Sequence, residues 1–133
     1  MNIKINKAPT PVGAYPHSKK VGNFLFLSGV GPRKGDLDEI PGVNKDEDGN
    51  VISHDIEIQC HSVFENVKMI LEESGSKWEN LVDITVFLTD MENDFKKYNE
   101  IYAEYFKNDQ PCRTTVEVSS LPTPIAIELK CIA

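Results

Sequence analysis

The hydrophobic period changes twice along this chain, and that limits the fold more than any other feature of the sequence. From Ser53 to Gly75 the apolar residues fall at spacings of three and four: Ile56, Cys60, Val63, Phe64, Val67, Ile70 and Leu71. Glu57, Glu65, Lys68 and Glu72 face elsewhere. Such spacing predicts an amphipathic helix with one buried stripe. Ser53 is placed to cap it, Asp55 and Glu57 suit the positive end of its dipole, and Gly75 offers a left-handed stop. Residues 81–88, Leu-Val-Asp-Ile-Thr-Val-Phe-Leu, are rich in β-branched residues, unbroken and short, which predicts a buried strand. A second helix is predicted from about Asn93, striped by Phe95, Tyr98, Ile101, Tyr102 and Tyr105, and Pro111 forbids its continuation.

Extended structure is predicted on both flanks. Residues 17–27 read as a hairpin, with Val21-Gly22-Asn23 as its bend, and residues 113–118 and 125–132 as two strands around Leu121-Pro122-Thr123-Pro124. In the last strand Ile125, Ile127 and Leu129 alternate with Ala126, Glu128 and Lys130, the mark of a sheet with unlike faces. Residues 31–50, rich in Gly, Pro, Asp, Asn and Lys, are predicted to form a long loop. The order strand, strand, helix, strand, helix, strand, strand predicts an α+β fold, a mixed β-sheet with both helices on one face. Its other face would be bare, and self-association is the common way to cover one.

The bulk properties exclude several functions. At 133 residues with 40% hydrophobic content, the chain suits a single domain over residues 1–133. Twenty-one acidic against 14 basic residues give a net charge of −7, which repels nucleic acid and anionic membranes. No apolar run approaches the roughly 18 residues of a membrane span, and the opening MNIKINKAP lacks the apolar stretch of a signal peptide, so the sequence predicts a cytoplasmic protein. Cys60, Cys112 and Cys131, odd in number and without CxxC spacing, suit a reducing compartment.

Motifs for nucleophilic triads and phosphate-binding loops are lacking. His17, His54 and His61 lack the spacing of metal ligands, and no metal is expected. His54 and His61 read as helix-surface residues, and His17 is left open. Two charges stand out: Arg113, where the loop after the second helix meets a strand, and Glu128, inside the apolar terminal strand. A buried charge is costly without a partner, so such residues either form a site or pair with each other across strands on a polar sheet face.

The segment Pro111-Cys112-Arg113-Thr114-Thr115-Val116-Glu117-Val118, followed by Leu121-Pro122 and Ile125-Ala126-Ile127-Glu128-Leu129, closely resembles the C-terminal signature of the Rid (reactive intermediate deaminase, YjgF-like) family. Gly13-Ala14-Tyr15, Val21-Gly22-Asn23, Phe26-Leu27-Ser28-Gly29, Glu65-Asn66-Val67 and Tyr98-Asn99-Glu100-Ile101-Tyr102 also fall in the family's order. The resemblance implies a chorismate-mutase-like fold and a homotrimer with sites in the clefts between subunits. It also implies a small carboxylate substrate, with Arg113 binding the carboxylate, Glu128 handling water, and Tyr15, Ser28 and Asn99 in the pocket. Where many members have cysteine two residues beyond the arginine, this chain has Thr115, whose contribution would come from hydroxyl or backbone.

That assignment suits the chemistry of hydrolysing an imine or enamine beside a carboxylate. A guanidinium holds a carboxylate in one plane, and a protonated imine carbon accepts water without a protein nucleophile, metal or organic cofactor. Tyr15-Pro16-His17-Ser18-Lys19-Lys20, the lengthened 31–50 loop, Asn99-Glu100-Ile101-Tyr102-Ala103-Glu104-Tyr105-Phe106 and Arg113-Thr114-Thr115-Val116 look more like the 2-aminomuconate deaminase branch. A second substrate carboxylate would want Arg33 or Lys34, unless these are a solvated loop pair. The alternatives are a general 2-imino acid (2-aminoacrylate) deaminase and a non-catalytic trimeric binder of small carboxylates.

Overall fold

The computed structural model describes residues 1–35 and 40–133. Its strands are β1 (Asn2–Ile3), β2 (Ser18–Val21), β3 (Phe24–Leu27), β4 (Val43–Lys45), β5 (Val51–His54), β6 (Asp83–Leu88), β7 (Cys112–Glu117) and β8 (Ile127–Ile132). The helices are α1 (Ile56–Glu73) and α2 (Met91–Tyr105). A six-stranded sheet runs β1-β2-β3-β8-β6-β7. Only β6 and β7 are parallel, with α2 as their crossover; the other pairings are antiparallel. The predicted mixed sheet with helices on one face is what forms.

Side-chain alternation explains that layering. Ile84, Val86 and Leu88 of β6 and Ile127, Leu129 and Cys131 of β8 are fully buried beneath Cys60, Val63, Phe64, Val67 and Leu71 of α1. The intervening Asp83, Thr85, Phe87, Glu128, Lys130 and Ile132 take the opposite face. No helix among the described residues covers that side, and Phe24, Phe26 and Val116 are exposed there. The strand at 81–88 is therefore buried on one face rather than on both. None of the helices among the described residues is long and apolar enough to cross a membrane.

Three local readings need correction. The 31–50 segment is not all loop, because β4 pairs with β5 as a small hairpin. Its turn is held by the Asp46 carboxylate, which accepts from the backbone N–H groups of Asp48 and Asn50, both at 2.9 Å, and by Gly49 at φ 83°. Residues 36–39 of that segment lie outside the described residues. Because β5 recruits residues 51–54, Ser53 cannot cap α1; its hydroxyl accepts from Asn44 Nδ2 at 2.9 Å, and Asp55 caps the helix through the Ile58 N–H at 3.2 Å. His54 likewise ends β5 instead of lying on a helix. Gly75, at φ 84°, follows α1 as expected, and α2 begins two residues early because Asp90 caps it through the Asn93 N–H.

Candidate functional site

Sheet register separates the two charges that the sequence singled out. Arg113 lies opposite Ile84, which lies opposite Cys131 on its other side, so all three point toward the helices. Glu128 lies opposite Phe87 and points to the bare face. Two strand spacings and three residues along the sheet separate them, roughly 10 Å in each direction, and the sheet itself stands between their side chains. An ion pair between them within one chain is thereby excluded.

Around Arg113 the structure builds an aromatic and amide clamp. The guanidinium carbon lies 4.6 Å from the Tyr102 ring centroid and 5.4 Å from that of Tyr98, a stacking geometry that holds the planar cation in place. Arg113 Nη1 donates to Asn99 Oδ1 at 2.8 Å. Since Tyr98, Asn99 and Tyr102 share one side of α2, the crossover helix fixes the guanidinium from beneath and from one edge. Thr115, two residues along β7 and on the same face, shares a 3.1 Å hydrogen bond with the Tyr98 hydroxyl. Its hydroxyl is thus committed to positioning the tyrosine. Burial pushes the Tyr98 phenol up, against the opposing effects of Thr115 and Arg113, and pushes Tyr102 up further. Both stay protonated and neutral beside the cation.

Glu128 belongs to a second cluster. A cleft lined by Tyr15, Ser28, Gly29, Gly31 and Arg33 opens between the N-terminal segment and the end of β3. Gly29 is where Glu128 meets it, for a Cβ on Gly29 would fall 3.0 Å from both Cδ and Oε2 of Glu128. Any larger residue would make the carboxylate give by a few tenths of an ångström. Burial raises the Glu128 carboxyl above its ordinary value, with no neighbouring charge contributing. Ser28 Oγ donates to the Pro16 carbonyl at 2.7 Å, and the Tyr15 hydroxyl accepts from the Val12 N–H at 3.2 Å. Tyr15 and Ser28 thus share the cleft, with Gly29 between it and Glu128, and Arg113, Asn99 and Thr115 come together elsewhere, so that the two groups remain apart.

The wall of this cleft hangs on a polar ladder that the sequence reading missed. Gln59, Ser62 and Asn66 are buried on α1 at spacings of three and four, inside a face otherwise filled with apolar side chains. Each reaches the backbone of the following or preceding loop. Gln59 Nε2 donates to Pro41 O at 3.1 Å and its Oε1 accepts from the Ala126 N–H at 2.8 Å. Ser62 Oγ donates to Pro32 O at 2.7 Å. Asn66 Nδ2 donates to Gly31 O at 2.9 Å and Arg33 O at 2.7 Å. Three adjacent polar positions on a buried helical stripe are the signal that could have revealed this, because buried amides need partners.

His17 also has a structural explanation. The Ile5 N–H donates to its Nδ1 at 2.9 Å, so Nδ1 is unprotonated and Nε2 donates to Pro9 O at 2.8 Å. The ring ties the N-terminal segment to the cleft. Burial holds the Cys60 and Cys131 thiols up at about 12, far from the range of a reactive thiolate.

Comparison with known proteins agrees with this architecture. The sequence profile of the family described as Endoribonuclease L-PSP matches residues 5–133. A RutC family protein of Pyrococcus abyssi is 44% identical over 131 residues, covering 98% of this chain and 94% of that protein. Reactive Intermediate Deaminase A, chloroplastic, of Arabidopsis thaliana is 39% identical over 131 residues, covering 98% of this chain and 64% of that protein. The crystal structure of E. coli TdcF with bound serine matches with a TM-score of 0.83 at 30% identity, covering 100% of this chain and 97% of that one. By a profile spanning nearly its whole length and by relatives that share its fold, the chain belongs to the Endoribonuclease L-PSP family, the same family as the Rid, YjgF-like proteins that its sequence resembles.

Proposed function

We propose that this chain is a hydrolytic deaminase of enamine and imine acids, and that 2-aminomuconate is its preferred kind of substrate. The observation that carries the reading is the pair of complementary half-sites: a stacked guanidinium with no carboxylate partner among the described residues, and a desolvated carboxylate packed against Gly29, which lines a cleft. They can serve one substrate only if different copies supply them. Copies therefore pack on the bare sheet face as a homotrimer, with the β7–α2 edge of one beside the cleft of the next.

In such a site Arg113 binds the substrate carboxylate while Asn99 and the two tyrosines keep the guanidinium from turning away. The enamine takes a proton on carbon to become the iminium. Water then adds to the carbon that bears the nitrogen, the neighbour of the one that took the proton, as Glu128 accepts a proton from it; that proton passes to nitrogen, the C–N bond breaks, and as ammonia leaves the hydroxyl gives up its proton and its oxygen becomes the keto oxygen. A carboxyl with a raised pKa suits both halves of that transfer. Tyr15 and Ser28 shape the pocket. No cofactor takes part, since the iminium is its own electron sink.

The deaminase reading is supported by the Arabidopsis relative's name, and the carboxylate clamp by the serine bound to TdcF. The finer substrate rests on the aminomuconate-like segments at Tyr15–Lys20 and at residues 31–50. RNA is a poor substrate for a chain of net charge −7. Ammonia release from 2-aminomuconate and from 2-aminoacrylate tests the proposal. Arg113→Ala should abolish it, and Glu128→Gln should reduce turnover by at least about a hundredfold while sparing ligand affinity. Full activity in either variant refutes the role assigned; a chain that binds carboxylates yet releases no ammonia is a binder.

A further inference from the structure

The chain contains two arginines, Arg33 and Arg113; its other basic residues are lysines. Both arginines are half-buried, and each half-site holds one. Each is steadied by a neutral oxygen rather than a carboxylate: Arg113 by Asn99, and Arg33 by the Thr10 carbonyl, to which Nη2 donates at 2.9 Å. No ion pair among the described residues includes either. In a chain where acidic residues outnumber basic ones by 21 to 14, a guanidinium that lines a cleft without an acidic partner among the described residues is arranged for an anion from outside.

Lys34 is differently placed. Its Nζ is 3.2 Å from Glu65 Oε2 and donates to Asn66 Oδ1 at 3.0 Å, so its charge is already answered on α1. The same Asn66 holds the carbonyls of Gly31 and Arg33. One buried amide thus pins the backbone on both sides of Pro32, draws Lys34 away toward the helix, and leaves Arg33 facing the cleft beside Tyr15, Ser28 and Gly29.

We propose that Arg33 is a second anion subsite, which selects substrates carrying a carboxylate at the end remote from the reacting carbon. This deepens the deaminase reading and rests on it for the orientation of the substrate, with the proximal carboxylate on Arg113 and the distal one on Arg33. Asn66 is the positioning residue that aims it.

Trans,trans-muconate and sorbate share one unsaturated carbon chain and differ in the distal carboxylate, so their binding to the full chain, measured by calorimetry, isolates this contact. The unaltered protein should bind muconate at least about tenfold more tightly than sorbate. Arg33→Gln retains a donor for the Thr10 carbonyl but loses the charge; it should bring muconate down to the affinity of sorbate and leave sorbate unchanged. Lys34→Ala should leave the ratio intact. Equal affinities in the unaltered protein, no binding of muconate, or a ratio indifferent to Arg33→Gln in a folded variant would each overturn the proposal. Because binding is read without turnover, the two readings fail separately. An Arg33-dependent ratio in a protein that releases no ammonia sinks the deaminase and keeps the subsite, whereas an active deaminase with an Arg33-independent ratio does the reverse.

Discussion

Replacing Gly29 with alanine gives the sharpest test of Glu128, because it adds one methyl group and touches little else. The new Cβ would sit 3.0 Å from the Glu128 Cδ and Oε2, whereas carbon contacts settle at roughly 3.5–4.0 Å. The carboxylate would have to give by a few tenths of an ångström, which its flexible side chain can do. Gly29 is absent from the glycines with positive φ, so alanine brings no backbone strain and removes chain entropy from the unfolded state, worth about 0.4–1 kcal/mol in favour of folding. Stability should therefore stay level or rise slightly. Catalysis should not: where about 1 Å in a reacting group costs on the order of a hundredfold, a shift of a few tenths should cost several-fold to about tenfold in rate, or up to about 1.4 kcal/mol of barrier. Steady-state ammonia release measured beside a thermal melt separates the two effects. A Gly29→Ala protein with an unchanged melting temperature and turnover within about twofold of the original would show that the position of Glu128 does not govern the reaction.

Two further outcomes follow from the same geometry. Asn66→Leu should strip the Gly31 and Arg33 carbonyls of their buried partner, at about 1–3 kcal/mol per orphaned group; a thermal melt should fall by several degrees and the preference for muconate over sorbate should shrink with it, while an unchanged melt would refute the clamp. The raised Glu128 carboxyl makes a contribution to folding that is fully present below its unfolded pKa and is lost as pH rises through the higher folded value. Glu128→Gln removes that loss, so melting temperatures taken from pH 4 to 8 should show the variant gaining on the original protein as pH rises, and a variant that loses ground across that range would contradict the burial of the carboxylate.

How much of this could be read in the sequence depended on whether the deciding force was local. The period of α1 and the alternation of β8 are properties of neighbouring residues burying one side, and both elements form as read. The β4–β5 hairpin escaped because its strands are mostly exposed and carry no apolar alternation; it is held by the Asp46 turn. Ser53 was misread for the same reason, since strand pairing claimed it before capping could. Arg113 and Glu128 stood out as charges in apolar or structured settings, but their placement on opposite faces came from the strand order, which no local pattern specifies. Tyr98 and Tyr102 looked like ordinary core stripe residues, because stacking against a cation leaves no mark on periodicity.

The parallel pairing of β6 with β7 through α2 puts every part of the clamp around Arg113, from Tyr98 to Thr115, inside one continuous strand–helix–strand unit. The wall bearing Arg33 comes from a different stretch, the N-terminal hairpin and the loop that α1 secures. On the proposed reading, recognition of the common end of a substrate and discrimination at its variable end are thus inherited as separate segments of chain. Exchanging the first 35 residues or so between relatives, with the matching ladder on α1, would swap substrate range while leaving the chemistry of the clamp untouched, a division of labour that lets one scaffold diversify without rebuilding its reactive centre.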